Sequence, residues 1–270
     1  MEFEIDRPEA AAEHIRATGS AVLRGAWPMA RLAPFRAAVL DFCERRRARV
    51  RAGQARPHEK MFDTHGVGTI SAMEMEGCIT CGYFVGLFSG SAYEAICRRY
   101  FGDSRLYTHR DRNGFRYHRP GESDRSFIPY HQDSYTQDPR VASVLNCWVA
   151  LDPAGVDAPG LEVVRHVCSA AFPRREWGIE SANAAYDGIT IERARILEVY
   201  GDNFAAPAFA PGDALIFSEH VIHRTHVLPG MTKSRVNMEF RVFSESACRD
   251  VPGMSPVVDE SIPLFEGQTP

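Results

Sequence analysis

From residue 105 onward the chain breaks into short strand-like pieces: RLYTHRD (105–111), GFRYHR (114–119), SFIPYHQD (126–133), VASVLNCWVALD (141–152), LEVV (161–164), DALIFSEHVIHRTHV (213–227) and SRVNMEFRVF (234–243). They are rich in β-branched and aromatic residues and are punctuated by Pro and Gly turns, the pattern of strands. A regular alternation of strand and helix, the mark of a parallel sheet, is missing. The series predicts a mainly β fold with flanking helices around a jelly-roll, cupin-like core, a double-stranded β-helix.

The first hundred residues have another texture. PEAAAEHIRATG reads as a helix ending on a glycine C-cap, and SAVLRGAW reads as a strand. MARLAPFRAAVLDFCERRRARV places Leu32, Phe35, Val39 and Phe42 at helical spacing, and SAYEAICRRY suggests a further helix closed by Gly102. We expect a single domain over residues 1–270. In it, 1–104 packs on a core at 105–245 and 246–270 forms a tail. The mixed stretch 174–204 interrupts the strands and reads as an insertion at one mouth of the core, where long loops shape access.

Composition closes off several function classes. With 270 residues, 44% of them hydrophobic, the chain can bury a large core. No run approaches the roughly 18 apolar residues of a membrane span, and the acidic start MEFEIDRPEAAAEH does not read as a secretion signal, so a cytoplasmic protein is expected. The seven cysteines are scattered and odd in number; Cys78 and Cys81 form a lone CxxC among apolar neighbours and read as buried small hydrophobes. Net charge is −4 and Lys60 and Lys233 are the only lysines, so the basic side is almost all arginine. The arginine run at 45–51 continues the helix that starts near Ala30 and reads as its solvated face; no aromatic platform is interleaved, and no nucleic-acid partner is expected.

Chemistry concentrates in HQD and HRT. In an extended segment residues i and i+2 share a face, so His131 and Asp133 can offer an imidazole nitrogen and a carboxylate oxygen to one point. A third ligand must come from elsewhere, and His220, His223 and His226 are available. Two histidines and one carboxylate on one side of a metal, with the remaining positions open, is the facial arrangement of non-haem iron(II) oxygenases.

The order HQD, VASVLNCWVALD, APGLEVV, PGDALIF, VIHRTHV and SRVNMEFRVF resembles the phytanoyl-CoA dioxygenase-like family of Fe(II)- and 2-oxoglutarate-dependent oxygenases. The likeness is good over about 105–245 and general before that. It implies His131, Asp133 and His223 as the metal ligands, with His220 and His226 as alternatives for the third. His223 is preferred because Thr225 and Arg235 then fall where the family has its cosubstrate-binding hydroxyl and arginine. Arg235 also has a physical rationale: the far carboxylate of 2-oxoglutarate, deep in an apolar core, calls for a guanidinium that donates two parallel hydrogen bonds. Trp148 lines the cosubstrate pocket by the same resemblance, and Asn146 shares its strand face.

Tyr135 and Gln137 continue the ligand segment on the same face and are expected to touch substrate, with Arg116 or Tyr117 in reach. His58, His65, His109, His118 and His166 lack metal spacing and read as solvated or hydrogen-bonded. The resemblance implies Fe(II), 2-oxoglutarate and O2 as cofactor and cosubstrates, and hydroxylation of a small molecule, in specialised metabolism, as the outcome. Asp133 stands where halogenating relatives have a small residue, so halogenation is not expected. The rivals are a 2-oxoglutarate-independent iron oxidase and a catalytically silent jelly-roll that binds a small ligand.

Overall fold

A computed structural model describes residues 2–54, 68–71, 86–102, 105–109, 113–118, 127–133, 144–166, 178–179, 189–245 and 254–256. Two packed sheets with helices on one outer face make up the architecture. The larger, nine-stranded sheet runs β1 (Glu2–Glu4), β2 (Ser20–Arg24), β11 (Ala214–Ser218), β6 (Val144–Ala150), β13 (Arg235–Ser244), β4 (Leu106–His109), β14 (Met254–Pro256). β5 (Gly114–His118) pairs with the first half of β13 and carries β3 (Gly68–Ser71) on its other edge. The smaller sheet is β10 (Phe204–Ala205), β7 (Gly160–Val164), β12 (His223–His226), and β8 (Gly178–Ile179) pairs with β9 (Thr190–Ile191) as a separate ribbon. The described strands form a jelly-roll of two sheets and do not close into a barrel.

Strand alternation decides which core each side chain joins. On β6, Leu145, Cys147 and Val149 face the helices, whereas Trp148 and Ala150 face the smaller sheet. On β11, Ala214 and Ile216 take the first side, Leu215 and Phe217 the second. The helical layer is α1 (Pro8–Thr18), α2 (Met29–Arg51) and α3 (Ala92–Phe101), which contribute among others Ile15, Leu32, Phe35, Val39 and Ile96. Between the sheets lies a smaller core in which Trp148, Leu215, Phe217 and Val221 meet Leu161, Val163 and Phe209.

The helix boundaries follow the capping chemistry. α1 stops at Gly19, φ +87°, which donates its N–H to Ile15 O; a side chain there would need a left-handed backbone and would put its Cβ 2.6 Å from Val221 Cγ2. α3 starts on Ser91, whose hydroxyl accepts from Glu94 N, and stops at left-handed Gly102. On α2 the buried stripe is Leu32, Phe35, Val39, Cys43 and Arg46, so two expectations change. Phe42 is only partly buried, its place taken by Cys43, and Arg46 is not part of a solvated face: it is buried, with its guanidinium 5.9 Å from the Phe42 ring centre.

The expected strands appear with one exception. SFIPYHQD is not a regular strand; it runs beside β12 with a single antiparallel bridge, His131 to His223. Pro129 is the physical reason, because it has no N–H to give to a ladder; the next backbone bond instead runs from Thr225 N to Ile128 O at 3.0 Å. Parts of the 174–204 stretch pack against this segment. Ile191 N donates to Tyr130 O at 2.7 Å, and Ile191 and Ile196, the latter on α4 (Arg193–Tyr200), form a third small core with Tyr130, Val164 and Ile222. No helix among the described residues is long and apolar enough to cross a membrane.

Candidate metal centre

His131 and His223 face each other across the bridge, each donating its backbone N–H to the other's carbonyl at 3.0 Å. Both side chains therefore enter the space between the sheets at one level, ring centres 4.2 Å apart. Asp133 follows just beyond the bridge, where the chain leaves the sheet. Its Oδ1 lies 3.5 Å from His131 Nε2 and 4.0 Å from His223 Nε2. An ion about 2.1 Å from each donor accepts donors up to about 4.2 Å apart, so both spacings fit one ion. Among the described residues this is the one cluster of three such donors, and all three are buried.

The tautomers suit the task. Nδ1 of His131 is 2.9 Å from Pro129 O, and Nδ1 of His223 is 3.0 Å from Val221 O. A carbonyl can only accept, so each Nδ1 carries the proton and each Nε2 turns a lone pair toward Asp133. Burial, reinforced by the nearby His131, pulls the His223 imidazole down to about 4, which keeps it neutral and able to ligate. Burial alone would raise the Asp133 carboxyl, but the Arg241 guanidinium, 3.5 Å from its Oδ2, holds it well below the usual carboxylate range. Neutral imidazoles and a carboxylate are the donor set that ferrous iron accepts without saturation.

A pocket partly open to solvent adjoins the cluster, and its lining includes Arg116, Asn146, Trp148, Thr225, Arg235 and Arg241. Arg235 is 1% exposed and is the largest fully buried side chain among the described residues. Its Nε donates to Pro159 O at 2.6 Å, its Nη1 donates to Asn237 Oδ1, and its guanidinium carbon stands 5.0 Å from the Trp148 ring centre. Among the described residues no carboxylate comes within ion-pair distance of it. Glu239, on the same strand as Arg235, pairs with Arg116. Burial lowers the Arg235 guanidinium to about 9, the signature of a cation short of an anion.

Other groups lining the pocket are also incompletely bonded. Trp148 Nε1 and both amide atoms of Asn146 are buried without a partner. The Thr225 hydroxyl accepts from Ile128 N at 3.2 Å and keeps its own proton to give. A pocket with a buried cation and several spare donors fits a small dicarboxylate.

The structure also sorts the remaining sequence candidates. His226 points to the opposite face of β12, 3.3 Å from Glu162, and His220 lies beside Glu219 at 3.6 Å; neither joins the cluster. His118, opposite Arg235 in the β5–β13 register, is fully buried, and burial next to Arg235 drives it well below its ordinary value. His166 packs against Tyr200 with the rings tilted 51° to each other, and Tyr117 packs on the helical side of the sheet. Tyr135, Gln137, His58, His65, Cys78 and Cys81 lie outside the described residues. Arg241, 3.5 Å from Asp133 Oδ2, was missed from sequence, as were Glu239 and Glu162. The signal for the first two was the run of polar residues at every second position of β13.

Solved structures share this fold. The epimerase SnoN, solved with Fe3+, alpha ketoglutarate and nogalamycin RO, is 13% identical, with 88% of this chain and 84% of that chain covered and a TM-score of 0.59. SnoN is also represented by a structure described as the non-heme alpha ketoglutarate dependent epimerase from nogalamycin biosynthesis, at 10% identity, 88% and 81% coverage and TM-score 0.55. EvdO2 from Micromonospora carbonacea var. aurantiaca, complexed with 2-oxoglutarate, is 17% identical over 93% of each chain, with a TM-score of 0.56. At these identities the likeness establishes the fold. No curated protein matches the chain at a significant level. The family model for phytanoyl-CoA dioxygenase matches residues 15–227, which takes in His131, Asp133, His223 and Thr225 and stops short of Arg235. A match of that extent makes the chain a member of the phytanoyl-CoA dioxygenase family.

Proposed function

We propose that this protein is an Fe(II)- and 2-oxoglutarate-dependent oxygenase that hydroxylates an unactivated C–H bond of a small molecule in specialised metabolism. His131, Asp133 and His223 hold the iron, and Arg235, with Thr225, holds the far carboxylate of 2-oxoglutarate. Trp148 and Asn146 line the cosubstrate side. The observation that carries this reading is the pairing of three convergent donors with a fully buried guanidinium that has no carboxylate partner among the described residues, in one pocket. A binding module without a metal would leave both features without a use. The fold likeness to proteins solved with Fe3+, alpha ketoglutarate or 2-oxoglutarate supports the same choice.

Iron with 2-oxoglutarate and O2 supplies the oxidising power, converting 2-oxoglutarate to succinate and CO2 while one oxygen atom goes to the substrate. The protein binds, orients and excludes water. Pro129 O and Val221 O fix the imidazole planes, so both Nε2 atoms stay aimed inward. Arg241 keeps Asp133 ionised. Arg235 replaces the hydration of the cosubstrate carboxylate with a fixed pair of donors, and Trp148 Nε1 and the Asn146 amide offer hydrogen bonds from the adjoining wall. Arg116, tied to Glu239, and Arg241 present charge to the rest of the pocket, where substrate is placed.

Anaerobic addition of Fe(II) and 2-oxoglutarate to the purified protein tests the reading. A weak visible charge-transfer band is expected, followed by slow succinate release on admission of oxygen. Absence of the band would leave the 2-oxoglutarate-independent oxidase or the silent binding protein. Because SnoN is an epimerase, candidate substrates are assayed for inverted stereochemistry as well as for added oxygen.

A further inference from the structure

On the face of the smaller sheet opposite the three donors, polar side chains converge on one buried carboxylate. Glu162 of β7 is 6% exposed and stands directly across from Arg224 of β12. Its Oε1 accepts from Tyr130 Oη at 2.7 Å. Its Oε2 accepts from Arg224 Nη2 at 2.6 Å and Nε at 3.0 Å, and lies 3.3 Å from His226 Nδ1. The Arg224 guanidinium also covers the Tyr130 ring, 4.6 Å from its centre. Burial would raise this carboxyl, but the bonds with His226, Arg224 and Tyr130 bring it down to about 2.

Chain position gives the cluster its meaning. Tyr130 immediately precedes His131, and Arg224 immediately follows His223. Neighbouring residues of an extended segment point to opposite faces, so the two imidazoles enter the pocket while the phenol and the guanidinium leave by the other side. The inner faces of these segments are joined at the His131–His223 bridge, and Pro129 interrupts the ladder beyond it. The two segments are tied by this bridge, by the bonds between Thr225 and Ile128 and by Gln132 Nε2 to His220 O, none of which fixes their outward-facing side chains; a change of a few tenths of an ångström between Nε2 atoms changes how well one ion is held.

We infer that Glu162 is a positioning residue for the metal site, holding Tyr130 with one oxygen and Arg224 with the other and so setting the spacing of His131 and His223 from the far side of the sheet. The inference rests on the proposal that these histidines ligate the metal. A carboxylate suits the place because it accepts from two separate segments at once, whereas an amide offers a single acceptor oxygen and turns two N–H donors toward the other partner.

The test is a cobalt(II) titration of the full-length protein followed by its visible ligand-field bands, with thermal unfolding of each variant measured alongside. Glu162→Gln is expected to weaken cobalt binding about tenfold and Glu162→Ala up to about a hundredfold, both with displaced bands. Tyr130→Phe has a smaller effect that is not additive with Glu162→Gln in the double variant. Asp213→Asn is the control for loss of a buried carboxylate elsewhere: Asp213 accepts from Arg24 at 2.6 Å and from Gly25 N and Ala210 N, each at 2.9 Å. That variant is expected to lower the melting temperature and leave affinity and bands unchanged. Wild-type affinity and bands in both Glu162 variants would overturn the inference, as would an equal loss in Asp213→Asn. His131→Ala and His223→Ala separate the two levels: if they bind cobalt as the wild type does, the metal reading itself has failed, and if they do not, only the role of Glu162 is in question.

Discussion

The two faces of β13 differ in kind. Val236, Met238 and Val242 join the core beneath the helices, each at most 1% exposed. Arg235, Asn237, Glu239 and Arg241 look the other way, where Arg235, Glu239 and Arg241 line the pocket. The first face stabilises the fold by about 1.5–3 kcal/mol for each fully buried apolar side chain. The second costs stability, because buried charge must be compensated by neighbours or by a ligand. Strand alternation keeps the two apart, and a slip of one residue in register would exchange them. Stability and chemistry thus occupy one strand without sharing a side chain, and substitutions on each face test that separation.

The largest effect is expected at the donors that the polar face looks toward. His131→Ala and Asp133→Ala each reduce 2-oxoglutarate-dependent succinate formation by at least about a thousandfold, since loss of the metal removes several kcal/mol of catalytic stabilisation. The metal-free proteins melt within a few degrees of the wild type. Normal turnover in either variant would mean that the ligands are elsewhere. Next comes Arg235→Ala, which raises the 2-oxoglutarate dissociation constant about a hundredfold, as two charge-assisted hydrogen bonds are lost. Arg235→Lys falls between, keeping the charge and losing the fork. Equal affinity in all three proteins would assign the buried guanidinium a structural role.

The apolar face answers with stability alone. Met238, 1% exposed, changed to Ala should cost about 2–4 kcal/mol in urea unfolding and leave 2-oxoglutarate affinity within about twofold. If Met238→Ala shifted that affinity as far as Arg235→Ala does, the two faces would be coupled and the comparison would break.

How far this division was visible in the sequence depends on range. Local signals were legible: the Gly19 and Gly102 caps, the strand run VLNCWVA and the i, i+2 spacing of His131 and Asp133 each involve residues a few positions apart. Fold class followed, because many short strands have few ways to pack. The third donor was narrower than a guess and wider than a derivation. His223 and His226 lie on one strand with opposite parity, and only a neighbouring strand can say which parity faces inward; β7 does so by presenting Glu162 to His226. Long-range pairing is also why Arg241 and Glu162 were missed. Nothing near either residue in the chain announces Asp133 or Tyr130 as a partner. Pro129 stood inside a segment read as a strand, and its consequence, one bridge where a ladder was expected, became apparent only beside β12.

Glu219, buried within the electrostatic influence of Asp133, carries the smallest effect and tests whether uncompensated charge costs stability. It follows β11, is 7% exposed, and accepts from Val144 N at 3.3 Å. Burial pushes its carboxyl up to about 7; its own N–H and that of Val144 offset this in part, and the charge of Asp133 adds to it. A folded value above the unfolded 4.5 means that the native state holds the proton more tightly, so stability falls as pH rises from 4.5 to about 7 and then levels off. Glu219→Gln keeps an acceptor for Val144 N and has no charge to bury. In the metal-free protein it should therefore be more stable than the wild type by about 2 kcal/mol at about pH 8, with nearly equal values at about pH 5, as read by urea unfolding. A difference that did not change with pH would show that the Glu219 carboxylate is already compensated, and that charge here costs less than its burial implies.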